Sequence, residues 1–343
     1  MKYWFKNDYS FGANPRVLYA VVKANLEGNI GYGFDKHSDA AKQLIRDLCG
    51  LPDAAVEFFV GGTQTNVVAC SFLLKPWEAA ITAVSGHLNG HEVGAFEATG
   101  HKILAVESGA DGKLTPELIA PLLAVHEDVH LTKPALVYIS NSTENGFVYT
   151  KAELTALYEF CHSHGLYLFI DGARLGCALT SNDNDLTLKE FSHLADAFYI
   201  GGTKNGALFG EALVIPNGKL AEDFFRMKKR SGAVIEKGWI QGVMFYEMLR
   251  DGLYFDMARN SNEMAQMLQS GLMELGWKCW VKSPTNQLFF IVPKSMKKKL
   301  DNICEYEQWC EYDNDNVVIR FVTCFNTTKE DIEGFLQEVG KLG

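Results

Sequence analysis

Lys204 stands in the segment IGGTKNG, directly after an apolar run and flanked by Gly201, Gly202 and Gly206, so little side-chain bulk crowds its amine. A lysine placed in this way can form a Schiff base with a carbonyl compound. Taken alone, the segment reads more readily as a surface lysine in a hairpin, so the chemistry needs partners. Asp171 closes the run LYLFID and opens DGAR, with Arg174 one helical turn onward. An aspartate at the C-terminal edge of a central strand faces the ligand crevice of an open sheet. A pyridinium nitrogen needs such an anion to stay protonated and act as an electron sink. A helix N-cap explains the aspartate about as well, and Arg174 by itself requires nothing beyond an ion pair with Asp171.

Other segments have the same double reading. GGTQTN, residues 61–66, joins a strand to a helix, where free N–H groups, the helix dipole and the hydroxyl of Thr63 suit a phosphate, and Gly62 permits close approach. It has neither the lysine of a P-loop nor the spacing of a dinucleotide fingerprint. RMKKR, residues 226–230, can donate to that phosphate or form a solvated face. His87 follows the run AAITAV at a strand end, where an imidazole can stack on an aromatic ring, move a proton, or sit as a satisfied structural residue. His87 and His91 are four apart, but no glutamate follows the first, so the zinc-protease pattern is absent and no metal is expected.

With 343 residues, 47% of them hydrophobic, the chain can bury a large core, which excludes a disordered tail or a small disulfide scaffold. A formal charge of -10 argues against nucleic acid and anionic membrane partners. The N-terminus carries no apolar signal region and no run of 18 apolar residues occurs, so a soluble, unprocessed protein is expected. Eight scattered cysteines without a CxxC pair fit reduced thiols in a cytoplasm, and Cys49, Cys70 and Cys161 read as small buried hydrophobes.

The elements that must position these residues alternate in type. Asn14-Pro15 marks a helix start, Gly50 a left-handed helix end, and Thr150 with Glu153 a capping box. Strand-like runs VEFFV, AAITAV, KILAVE, ALVYIS and LYLFID alternate with helical stretches, among them TQTNVVACSFLL and HEVGAFEAT. Runs apolar at almost every position indicate a mostly parallel sheet between two helical layers. AFYIGG and ALFGEALVI are separated only by TKNG, too short for a crossover, so one strand is expected to run reversed. After a helical stretch to about Gly276, the strands KCWV, QLFFIVP and NVVIRFVTCF form a small C-terminal unit.

The order GGTQTN, SGH, DGAR, TKNGALFG resembles the pyridoxal phosphate enzymes of the aspartate aminotransferase fold (fold type I), and more closely the threonine aldolases of the beta-eliminating lyase family. The resemblance runs from NDYSFGANPRVLYAV through IGYGFDKHS to IRFVTCFNTTKED, and its most specific part is DGAR followed by the lysine 33 positions after its aspartate. It implies an α/β fold with a mostly parallel seven-stranded sheet and a smaller α/β C-terminal domain. The expected division is an arm over 1–12, a large cofactor domain over 13–244 and a small domain over 245–343.

By this resemblance Lys204 holds pyridoxal 5'-phosphate, Asp171 pairs with its ring nitrogen, Arg174 lies near the ring hydroxyl and His87 stacks on the ring. Gly62 and Thr63 bind the phosphate, approached by Lys229 of this or a neighbouring subunit. Arg320 grips the substrate carboxylate, and the segment from Asn7 to Ser10 lines the site. Two departures stand out. NSTENG places Glu144 where many members read ENTHNG, with a histidine near the substrate side chain, and GAVIEKG places Glu236 and Lys237 where GGGMRQ has an arginine near the phosphate. The implied reaction cleaves L-threonine, L-allo-threonine or a related β-hydroxy-α-amino acid to glycine and an aldehyde, the β-hydroxyl facing His87 or Glu144. β-Elimination or transamination is the alternative, told apart by its products. A non-catalytic binding protein has no electronic need for Lys204, Asp171 and Arg174 together. A homodimer or homotetramer sharing sites across its interface is implied by the family.

Overall fold

Strands that are apolar at both odd and even positions need a layer of helices on each side, and the large sheet is built in this way. In the computed structural model, which describes residues 2–342, the arm forms β1 (Tyr3–Trp4). The large sheet then contains β2 (Ala55–Phe59), β3 (Glu78–Ala83), β4 (Lys102–Val106), β5 (Lys133–Ser140), β6 (Tyr167–Asp171), β7 (Ala197–Gly201) and β8 (Glu211–Ile215). Val137, Ile139, Leu168, Ile170, Phe198 and Ile200 enter one core, while Leu136, Tyr138, Phe169, Ala197 and Tyr199 enter a second. This period-two division across a single sheet is what the continuous apolar runs encode.

The strand order is β2-β8-β7-β6-β5-β3-β4, parallel except that β8 runs antiparallel to both β2 and β7. The single reversed strand is thus present, but it begins at Glu211, and ALFG before it lies in the turn after Lys204. Parallel strands β2, β3, β5, β6 and β7 all end on one edge. Because β8 is reversed, its first residue, Glu211, starts at that same edge.

The local signals act as expected. Asn14 Oδ1 accepts the Arg16 N–H above Pro15, Gly50 takes φ 66°, and Thr150 with Glu153 completes its capping box. HEVGAFEAT does not form a regular helix. After the short helix His87–Gly90, bends and turns with Val93 at φ 53° and Gly94 at φ 74° replace it, ending in the 3-10 turn Glu97–Thr99. A β-branched residue in the left-handed region cannot sit inside a helix.

A second, antiparallel sheet carries the small unit, with β9 (Lys278–Val281), β10 (Gln287–Pro293), β12 (Glu307–Glu311) and β13 (Asn316–Val322) in the order β12-β13-β10-β9. β12 is an edge strand, EQWCE, whose mixed polar pattern hides it from sequence reading. β1 pairs parallel with β11 (Cys304–Glu305), and Phe5 enters the small core beside Phe321 and Phe335. The expected boundary at 244/245 falls inside the helix Trp239–Leu249, whose Met244, Phe245, Met248 and Leu249 belong to the large core, as do Tyr254 and Met257. The change of core comes along the next helix, Leu253–Glu274, where Met264 packs against the small one and Ala265 is its first buried member.

Candidate active site

The shared strand edge collects the residues singled out by their chemistry. Gly61 and Gly62 follow β2, His87 follows β3, Glu144 follows β5, Asp171 ends β6 and Lys204 follows β7. Register, not sequence proximity, brings them together.

Asp171 is the most completely held of them. Its Oδ2 accepts from Tyr138 OH at 2.5 Å and Asn66 Nδ2 at 3.0 Å, and its Oδ1 from Tyr199 OH at 2.5 Å and the Ala173 N–H at 2.9 Å. Burial pushes the carboxyl up, but the His87 charge and these donors outweigh it and hold the group below the ordinary aspartate value. The close spacing is built in. A Cβ on Gly172 would fall 1.8 Å from the Tyr199 carbonyl oxygen, and one on Gly62 would fall 3.0 Å from the Tyr199 hydroxyl. Asn66, Tyr138 and Tyr199 were not singled out from sequence. A signal existed, since a tyrosine inside a fully buried strand must find a partner for its hydroxyl.

Burial and the Arg174 charge lower the proton affinity of the Lys204 amine, against the pull of Asp8, Glu144 and Asp171. A lowered lysine keeps more neutral amine at pH 7, which is the nucleophilic form. Arg174 does not pair with Asp171. Its Nε and Nη2 donate to both oxygens of Asp8 at 2.7 and 3.0 Å, within the core of the site. Asp8 also accepts from Asn286 Nδ2 at 2.9 Å, which ties the arm, the large sheet and the small unit together. Asn7 and Ser10, the expected lining residues, bond to each other at 2.6 Å, with Asn7 part-buried and Ser10 exposed. The buried member of the segment is Asp8. Beneath the lysine loop, Glu211 accepts the Gly202 N–H at 2.9 Å, and burial pushes its carboxyl up to about 7.

At the β2 end, the helix Gly62–Leu73 starts with extended Gly61 and has no side-chain cap, so its first-turn N–H groups are available to an anion. Thr63 is exposed at this turn. The basic helix Phe224–Arg230 packs alongside through Phe72 and Phe224, ring centroids 4.9 Å apart. Lys228 of that helix is buried on Glu57 at 2.8 Å, whereas exposed Lys229 ends 4.8 Å from the Tyr32 ring centroid. Glu236 and Lys237 are exposed, and the Glu236 carbonyl accepts the Tyr32 N–H at 3.0 Å.

Arg320 on β13 is buried, stacks 4.8 Å from the Trp309 ring centroid, and donates to Gln287 at 3.1 Å and to Glu307, while its Nε has no partner among the described residues. Burial and the Arg174 charge lower its proton affinity, opposed by Glu307, Asp8 and Glu144. Glu144 has only a 3.4 Å contact from Ser140 Oγ, yet its charge raises the proton affinity of His87, Arg174, Lys204 and Arg320.

A buried anion at a sheet edge, a lysine of lowered proton affinity, an uncapped helix N-terminus and an imidazole at one crevice of an aspartate-aminotransferase-like fold define a pyridoxal phosphate enzyme of fold type I. The residues fit that cofactor, because each of its polar ends meets a group of complementary charge. The family model described as beta-eliminating lyase matches residues 13–295, and the chain belongs to that family. A low specificity L-threonine aldolase of Pseudomonas sp. is 35% identical over 78% of this chain and 77% of its own length. One from Escherichia coli strain K12 is 24% identical over 92% of each. A Leishmania major threonine aldolase structure superposes with a TM-score of 0.97 at 42% identity, covering 99% of both chains. A Thermus thermophilus aspartate aminotransferase, at 15% identity and TM-score 0.74 over 100% of this chain and 92% of its own, shares the fold.

Proposed function

We propose that the protein is a pyridoxal phosphate-dependent aldehyde-lyase that cleaves L-threonine, L-allo-threonine or related β-hydroxy-α-amino acids to glycine and an aldehyde. The observation that carries this reading is the arrival at one strand edge of Asp171 at the end of β6, Lys204 after β7, His87 after β3 and Glu144 after β5. Pyridoxal phosphate, when bound, supplies a conjugated ring that takes up the electron pair released at the substrate Cα. Lys204 Nζ would hold the cofactor's aldehyde carbon, Asp171 its ring N–H, Arg174 its ring oxygen, His87 one ring face, and the first turn at Gly62 and Thr63 its phosphate, with Lys229 nearby. Arg320 would receive the substrate carboxylate through its partner-free Nε, with its Nη groups exchanging their Gln287 and Glu307 partners for the ligand. The β-hydroxyl proton passes to Glu144 or to His87 Nε2, the two acceptors at this edge, and its loss lets the Cα–Cβ bond break. Asp8, by holding Arg174, keeps a cation beside the lysine.

The test is a spectrum of the cofactor-loaded protein before and after borohydride, with mapping of the modified peptide. L-threonine and L-allo-threonine are then added with detection of aldehyde and glycine. Modification on Lys204 with aldehyde release is expected, whereas ammonia and a keto acid would move the reading to β-elimination. Self-association into a dimer or tetramer is part of the same reading, supported by the exposed apolar residues Leu18, Tyr19, Val22, Leu26 and Ile30 on and after the helix Pro15–Ala24. So is a cytoplasmic location, supported by eight free cysteines among the described residues. No helix among the described residues is long and apolar enough to cross a membrane.

A further inference from the structure

Five residues after His87 stands a carboxylate that the reaction as described does not use. The Glu92 side chain is wholly buried, although its neighbours His91, Val93 and Gly94 are exposed. One oxygen, Oε1, lies 3.0 Å from His87 Nδ1 and 2.8 Å from Asn66 Nδ2. The other, Oε2, is buried with no hydrogen-bond partner among the described residues. Asn66 Nδ2 also reaches Asp171 Oδ2 at 3.0 Å, so one amide group joins the Glu92 and Asp171 carboxylates.

A neutral glutamine would satisfy a purely structural role here at lower desolvation cost, because burying a carboxylate with an unbonded oxygen is unfavourable. What a carboxylate adds is charge directed at the imidazole. Since it only accepts, it fixes the proton on Nδ1 and leaves Nε2 as the free nitrogen of the ring. We propose that Glu92 is a positioning residue of the reaction, holding His87 as the Nδ1–H form with Nε2 toward the crevice and linking it through Asn66 to the Asp171 anion. The inference rests on the role given to His87 in the proposed function. It adds a residue five positions away that makes that histidine competent.

The groups that face His87 come from several elements. Glu144 follows β5, Asp171 ends β6, Lys204 follows β7, and the His91 ring centroid is 5.5 Å away on the same turn. Burial works against the imidazolium, as does Lys204, but the Glu92 hydrogen bond and the Glu144 and Asp171 charges prevail, so the imidazole titrates above its ordinary value. Glu92 is the one of these in hydrogen-bond contact.

The experiment is long-range proton–nitrogen NMR of the histidines in the cofactor-loaded protein, with His87 assigned by its loss in His87→Gln, compared across wild type, Glu92→Gln and Glu92→Asp. Wild type is expected to show Nδ1–H above the titration midpoint. In Glu92→Gln the midpoint should fall by about one pH unit, with loss of the tautomer preference and a matching shift in the pH dependence of kcat. Glu92→Asp should restore both in part. Glu92→Gln with an unchanged His87 midpoint and tautomer would overturn the proposal, whether activity fell or not. The NMR readout needs no substrate, so absence of aldehyde from wild type would sink the aldolase reading and leave this test standing.

Discussion

Around Asp171, four donors from two strands, a helix and a turn converge on one buried carboxylate, and neither oxygen is left with a single bond. Arg320 is buried to a similar degree in the small unit, yet its Nε has no partner among the described residues, and its carboxylate partner is the half-exposed Glu307. The first group is built on the register of a single sheet, in which strand pairing places Tyr138 and Tyr199 beside Asp171, with one helix and one turn supplying the other donors. The second reaches the site from another sheet. The contrast separates a prebuilt end, able to hold one ionisation state before any ligand arrives, from an end that keeps an unused donor among the described residues, as the proposed carboxylate site requires. Preorganisation of this kind is where charge stabilisation is most effective.

The sharpest way to break the comparison is Asp171→Asn. Replacing the anion by a neutral isostere should leave the cofactor bound but lower kcat by about 10²- to 10³-fold, and wild-type rates would remove Asp171 from its assigned role. Asp8→Asn tests the link between the two ends. Leaving buried Arg174 unpaired should cost about 3 kcal/mol or more in urea unfolding. The sign with pH is fixed by the Asp8 carboxyl. Burial raises it, but Arg174, Lys204 and the Asn286 bond hold it below its ordinary value. Its contribution is therefore full above about pH 4 and fades as the pH falls through the lower folded value. The stability gap between wild type and Asp8→Asn should close in acid.

Arg320→Lys probes the open end. A lysine cannot supply the planar pair of donors, and loss of one charge-assisted bond of about 1.5–3 kcal/mol should raise KM by roughly 10- to 100-fold with less effect on kcat. An unchanged KM would assign the substrate carboxylate elsewhere. The smallest effect is expected for Tyr138→Phe, since three donors to Asp171 remain. The cost should be about 1 kcal/mol, under tenfold in kcat, and a larger loss would show that the network acts as a unit.

Much of this was legible before any coordinates. The alternating runs announced the sheet, the short TKNG link announced its reversed strand, and DGAR with the downstream lysine named two groups that the fold does bring to one edge. Glu144 was marked by its departure from the family pattern and stands after β5 at the shared strand edge, where its charge acts on His87, Arg174, Lys204 and Arg320. Asp8, Asn66, Glu92, Tyr138, Tyr199 and Glu211 were passed over, because each looks ordinary in its own segment. Asp8 lies between the named Asn7 and Ser10, yet it is Asp8 that turns inward to Arg174. Arg174 itself was given the wrong alternative partner, since the nearest carboxylate along the chain is not the nearest in space.

What the sequence by itself determined was local and periodic: helix caps, strands buried on two faces, and the residue types that can hold a lysine-bound cofactor, all set by backbone and side-chain preferences within a few residues. Only the tertiary structure decided which groups share a hydrogen bond. Partners 26 to 278 residues apart, such as Asn66 with Glu92 and Asp8 with Asn286, meet through strand order and domain docking, and no spacing along the chain records those distances.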